Sequence, residues 1–256
     1  MQALILPASR GPRWLVEGFA IFRKKPALLS FLVLGYWLSM VVVWSVPWLG
    51  QWIGFLLLPA FSVSLMNACR LIDRKETLPP QVLFSGFHRN LPSLLALGAI
   101  YILVMLLILG VSQLFDIGIS FPVQPVGEVQ PGETPEHVTI SLLAVALLFP
   151  VNLVFGLAPV LTAWHDMPAG KSLFFSAVAC LRNWRPFLLY LLALLFVMLA
   201  GGCALRLIGD LLGQGAGLLP VTTALAAGIL IFMPIVWHAS FYIGYRDIFA
   251  GMRDAS

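Results

Sequence analysis

DMPAGKSLFFSAVACLRNWRPFLL, residues 166–189, is the stretch on which the reading of the whole chain turns. Two prolines bound it, Pro168 near its start and Pro186 near its end, and long apolar runs lie on either side. Asp166 stands where a helix N-cap would, and Pro168 suits a first turn, whose N–H groups lack intrahelical partners in any case. Leu173, Ala177, Leu181 and Trp184 recur at helical spacing, whereas Lys171, Asn183 and Arg185 fall off that stripe. A segment of this kind lies in a membrane interface rather than crossing it. Pro186 is expected to end or bend the helix and send the chain into lipid.

Hydrophobic residues make up 60% of the 256 positions and charged residues 10%. The mean hydropathy is +0.96. A soluble domain is usually about a quarter charged, so the chain reads as an all-α integral membrane protein. About 20 apolar residues cross the hydrocarbon, and six stretches qualify: roughly 28–46, 49–69, 93–115, 140–164, 187–208 and 218–243. Residues 1–7 are too short for a signal-peptide core, and Arg10 and Arg13 follow them.

Basic residues set the expected orientation. Arg10, Arg13, Arg23, Lys24 and Lys25 precede the first stretch, Arg70, Arg74, Lys75 and Arg89 lie between the second and third, and Lys171, Arg182 and Arg185 between the fourth and fifth. Arg246 and Arg253 follow the sixth, and only Arg206 falls elsewhere. The opposite connections carry Asp116, Glu128, Glu133 and Glu136 without lysine or arginine, which places both termini in the cytosol of a bacterial inner membrane. The net charge of +4 then has a membrane origin. No soluble module with a basic face is present to suggest nucleic acid as a partner.

The same device recurs twice. Residues 12–25 and 77–90 each form a short polar-edged segment, and each is followed by a proline, Pro26 or Pro92, that opens a long apolar run. Arg23, Arg89 and Arg182 lie three or four residues before these closing prolines. The second apolar run of each pair contains an internal proline and ends on an aspartate: Pro59 with Asp73, Pro150 with Asp166, Pro234 with Asp247. The expectation is a single membrane domain, 1–256, built from three repeats of an interfacial helix and two spans, at about 10–76, 77–167 and 168–250. Residues 117–138, rich in proline and glycine, read as an extracytoplasmic loop.

The run FGLAPVLTAWHDMPAGKSL from Phe155, continued to Arg182-Asn183, resembles a pattern in uncharacterised bacterial six-span inner-membrane proteins. It is also similar to the membrane domain fused to some glycerophosphodiester phosphodiesterases. The resemblance covers residues 155–189 best and is structural in kind. It implies a helical inner-membrane protein and carries over no catalytic residue.

Polar groups inside lipid are costly and so define the candidate positions. Asn67, Asn152 and His238 could line a polar cavity, although an asparagine in a span more often hydrogen-bonds across a helix pair. Arg23, Arg89 and Arg182 with Asp73, Asp166 and Asp247 could form an interfacial charge belt that meets anionic head groups, which snorkelling arginines would explain equally. Arg206 and Asp210, four apart, would pair with each other. Cys69, Cys180 and Cys203 are too far apart for a CxxC motif, and the spacing of the sequence suggests no catalytic set, cofactor or metal. The functional expectation is a non-enzymatic accessory, assembly or lipid-contacting component whose partners are the lipid bilayer and a membrane protein. A transporter or channel for a small or amphipathic solute is the alternative, and a lipid-acting intramembrane enzyme the third.

Overall fold

The computed structural model describes residues 3–115, 118–123, 136–212 and 219–250. Long helices follow short ones in a regular order. The short α1 (Arg10–Lys24) leads to α2 (Pro26–Trp44) and α3 (Gly50–Asp73). A 3-10 helix, η1 (Pro80–His88), leads to α4 (Leu91–Ser112) and α5 (Leu142–Trp164). The short α6 (Ala169–Arg182) leads to α7 (Trp184–Leu212) and α8 (Leu219–Ile248). Among the described residues, α2, α3, α4, α5 and residues 184–204 of α7 are long and apolar enough to cross a membrane. The helix over the sixth expected stretch, α8, has 30 residues, or about 45 Å of length.

Prolines open several of these helices for the reason the sequence suggests. Pro26 is the first residue of α2 and Pro92 lies in the first turn of α4, where a missing N–H costs nothing. Around the 166–189 stretch, however, three expectations are corrected. Pro168, not Asp166, occupies the N-cap of α6, with no side-chain cap bond. Asp166 instead has φ 48° just past the end of α5, a left-handed conformation that aspartate tolerates better than most residues. The break between α6 and α7 falls at Asn183, and Pro186 sits inside the first turn of α7 rather than ending α6. The second short element is a 3-10 helix, not the α-helix the pattern implied.

The extended connection carries a two-stranded antiparallel hairpin, β1 (Gly118–Val123) against β2 (Glu136–Ser141), with Gly118 opposite Ser141. Ser141 then caps α5 by accepting from the Ala144 N–H at 3.2 Å. Most of the loop itself, residues 124–135, lies outside the described residues, as do the side chains of Arg206 and Asp210.

Three long helices, α3, α5 and α8, touch one another and form the centre, with α2, α4 and α7 outside them. Within the most apolar window of each helix, 56% of α3 is buried and only 11% of α7. The exposed side chains of the outer helices are large and apolar, among them Phe31 and Leu38 on α2, Leu103 and Leu107 on α4, and Phe196 and Leu199 on α7. An apolar surface on this scale is disfavoured in water and suited to lipid. Each short helix lies mainly against the central helix that precedes it around the bundle: η1 on α3, α6 on α5, and α1 on α8. Small residues make these contacts close. A Cβ on Gly86 of η1 would come within 2.0 Å of the Ala60 carbonyl in α3, and one on Gly18 of α1 within 2.8 Å of the Ser240 backbone nitrogen in α8.

Candidate functional site

Pro59 and Pro159 lie within α3 and α5. Without an N–H, each leaves the carbonyl four residues earlier, Phe55 or Phe155, lacking its usual helical donor. All four residues line one cavity of about 180 Å³ in the bundle. Tyr36 of α2, Ser62 of α3, Tyr101 of α4, Asn152 of α5 and His238 of α8 bring polar atoms to the same walls. Tyr101 donates its hydroxyl to the Asn152 Oδ1 at 3.2 Å, and Asn152 donates its amide to the Leu148 carbonyl at 2.8 Å. His238 Nδ1 lies 2.7 Å from the Pro234 carbonyl. A carbonyl can only accept, so Nδ1 carries the proton, and Nε2 of a neutral ring is an acceptor.

Two of the three cavity candidates, Asn152 and His238, are brought together here. Asn67 is not; it lies nearer the basic end of α3. There its amide donates to Ser85 of η1 at 2.8 Å, and its Oδ1 accepts from the Trp164 indole at 2.7 Å. The residues that sequence reasoning passed over are the tyrosines and Pro159, whereas Pro59 is named there only as a feature of the repeat. Tyr101 falls in an apolar run where an aromatic ring reads as core, and Pro159 was overshadowed by Pro150 nine residues earlier.

The charge-belt candidates divide into separate groups. Asp73 and Asp247 join one network where α1, α3 and α8 meet. Arg10 donates Nε to Asp247 at 2.9 Å and a second nitrogen to the same oxygen, and it pairs with Glu17 at 3.0 Å. Arg246 bridges Glu17 at 2.9 Å and Asp73 at 3.3 Å. Tyr242 donates to Asp73 at 2.9 Å, the Trp14 indole donates to Asp247 at 3.0 Å, and Lys24 approaches Asp73 at 3.9 Å. The hydrogen-bonded carboxylate of Asp247 holds the Arg10 proton more firmly than usual, against the opposing effect of burial.

Arg23, expected in that belt, lies over the Phe19 ring at 6.0 Å. Arg89 meets Asp166 at 4.0 Å in an exposed pair, of a kind that contributes about 1 kcal/mol or less. Arg182 is exposed beside the chain start, lining a groove with Leu6 and Pro7. The three aspartates thus do not form a ring with the three arginines.

Among the described residues no group of three His, Cys, Asp or Glu side chains comes close enough to hold a metal ion. Burial pushes the Cys180 thiol up to about 12, far from the thiolate form a nucleophile requires.

The chain is 35% identical to a probable inner membrane protein of Burkholderia thailandensis, over 97% of this chain and 94% of that protein. No family model matches the chain. No solved structure matches it either.

Proposed function

The chain belongs to the family of that probable inner membrane protein and is a multi-pass protein of the bacterial inner membrane; we propose that it is a non-enzymatic, lipid-contacting accessory component with six spans and both termini in the cytosol. One observation carries this reading: most of the described polar side chains placed between the helices are hydrogen-bonded within the protein, to neighbouring side chains or to helix carbonyls. Asn67 links α3 to η1 and α5, Asn152 links α5 to α4, and Thr162 donates to Ser172 at 2.7 Å between α5 and α6. Polar groups used in this way fix packing rather than act on a substrate. The sixth span is α8, and the order short, long, long supports three units at about 10–76, 77–167 and 168–250. The regular seating of each short helix on the preceding central helix supports the same division.

Copurification from native membranes tests the accessory role. One stoichiometric membrane partner is the expected result, and recovery of the protein alone under mild extraction would count against it. Fusions of cytosolic and periplasmic reporters near residue 130 and after residue 250 test orientation; a cytosolic signal at the first site would reverse it.

The cavity around Asn152 and His238 favours a second reading, a carrier or binding protein for a small amphipathic solute. Single cysteines at 152 and 238, probed with membrane-permeant and impermeant thiol reagents, separate the two readings. Labelling at both positions from water favours transport, and silence at both favours the accessory role.

A further inference from the structure

On the basic side of the bundle, the last turns of α3 and the length of η1 enclose a groove of about 600 Å³. Asn67, Arg70, Arg74, Gln81, Ser85 and His88 supply its polar lining, and no aspartate or glutamate is among the lining residues. Leu71 and Val82 supply an apolar floor. From this arrangement we infer that the groove is a binding site for the phosphodiester head group of an anionic phospholipid.

Arg70, one of the two guanidiniums of the groove wall, is held in place by packing. Arg70 lies over the Trp164 ring at 4.6 Å. That indole donates to Asn67, whose amide in turn donates to Ser85, which bonds the Val82 carbonyl at 2.7 Å. Helix C-termini normally repel anions through their free carbonyls, but here two of them are occupied. The Glu76 N–H takes the Leu71 carbonyl at 2.9 Å and the Lys75 N–H takes that of Ile72 at 3.1 Å, with Lys75 in a left-handed conformation. This is the Schellman closure, and it occupies two of the carbonyls that would otherwise repel a phosphate. Two guanidiniums, Arg70 and Arg74, with the Gln81 amide beside them make a phosphate-binding set.

Lipid is the source favoured over a free phosphate because the groove opens beside apolar surface. Leu71, Pro79 and Val82 line the groove itself, and Phe84 on the same short helix is half exposed at 49%. Assignment to the inner leaflet rests on the orientation proposed above, whereas the site itself does not. Reversed reporter fusions would move the lipid to the other leaflet, and only a failed binding experiment would remove the site.

The test is native mass spectrometry of the full chain in detergent, titrated with phosphatidylglycerol or with phosphatidylcholine of the same acyl chains. The first phosphatidylglycerol is expected to bind more tightly than the first phosphatidylcholine. Arg74→Gln should weaken it about fivefold, the effect of one interfacial cation, and Arg74→Lys should restore most of the difference. Arg13→Gln, which removes an exposed charge on α1 outside the groove, should leave the affinity unchanged. Equal losses from Arg74→Gln and Arg13→Gln would overturn the proposal, because general attraction would then suffice. Displacement of the lipid by inorganic phosphate at matched concentration would also overturn it, in favour of a soluble anion.

Discussion

Asn183 is fully buried between α6 and α7 and spends its side chain on the start of the chain. Its Oδ1 accepts from the Leu6 N–H at 2.9 Å, and its amide donates to the Leu4 carbonyl at 2.9 Å and the Ala179 carbonyl at 3.0 Å. Asn183→Ala strands those backbone groups and is expected to destabilise the protein by roughly 1–3 kcal/mol. Faster proteolysis of residues 3–9 in the folded protein, with helix content retained, would be the accompanying signature. His165, just past α5, has Nε2 at 2.7 Å from the Tyr245 hydroxyl. Burial, and then Arg70, depress its pKa below the ordinary 6.5. A depressed folded value means that the unfolded chain takes the proton first, so the contribution is complete above about pH 6.5 and is lost as pH falls through the folded value. Wild type should therefore lose more of its melting temperature between pH 7 and pH 5 than His165→Gln does; parallel curves would exclude the linkage. The sequence made Asn183 visible as a residue off an apolar stripe and as the end of the run that carries the family resemblance, but not as an anchor for the chain start. Its bonds join positions 177 and 179 residues apart, and no local pattern encodes them.

At the scale of the element, the decisive contacts are made by glycine. Gly86→Ala would push a methyl group against the Ala60 carbonyl, which is helix backbone and cannot retreat, and against the Ser64 hydroxyl. The expected cost is about 1–3 kcal/mol, read as a lower melting temperature in detergent. Gly170→Ala in α6 meets nothing within 4 Å and should be neutral or stabilising by up to about 1 kcal/mol through helix propensity. Equal effects of the two changes would mean that η1 does not seat on α3 as described. The short surface helices and the long apolar ones were legible because their signals are local: amphipathic spacing, length and proline position. The 3-10 winding of η1 was not, since Pro79-Pro80 at its start prescribes a helical entry without choosing the hydrogen-bond step. Nor was the hairpin, because proline and glycine signal an irregular connection but do not specify its register. The cavity was half legible: Asn152 and His238 are conspicuous in apolar runs, yet which faces converge depends on how α5 and α8 rotate against α3.

Across the whole molecule, the packing closes on itself. The Leu4 N–H donates to the Ile248 carbonyl at 2.9 Å, and α1 fills on α8 the place that η1 fills on α3 and α6 on α5. A circular permutant that begins at Leu78, ends at Thr77 and joins residues 256 and 1 through a flexible linker should fold, with a melting temperature within a few degrees of the parent. Failure to insert or fold would show that the order of synthesis, and not the closed packing alone, is needed. This scale was the least legible. Charge distribution and the threefold pattern suggested a bundle, but the network of Arg10, Glu17, Arg246 and Asp247 was missed because its members come from opposite ends of the chain.

Arg10 and Asp247 stand 237 residues apart in sequence. At ~5–20 residues per second of translation, the first helix made waits about 10–50 s before the last, its principal neighbour, is complete. During that interval it must rest on the bilayer surface, where its arginines meet lipid phosphates in place of carboxylates. A nascent chain halted before α8 would therefore keep an unfilled seat at its beginning.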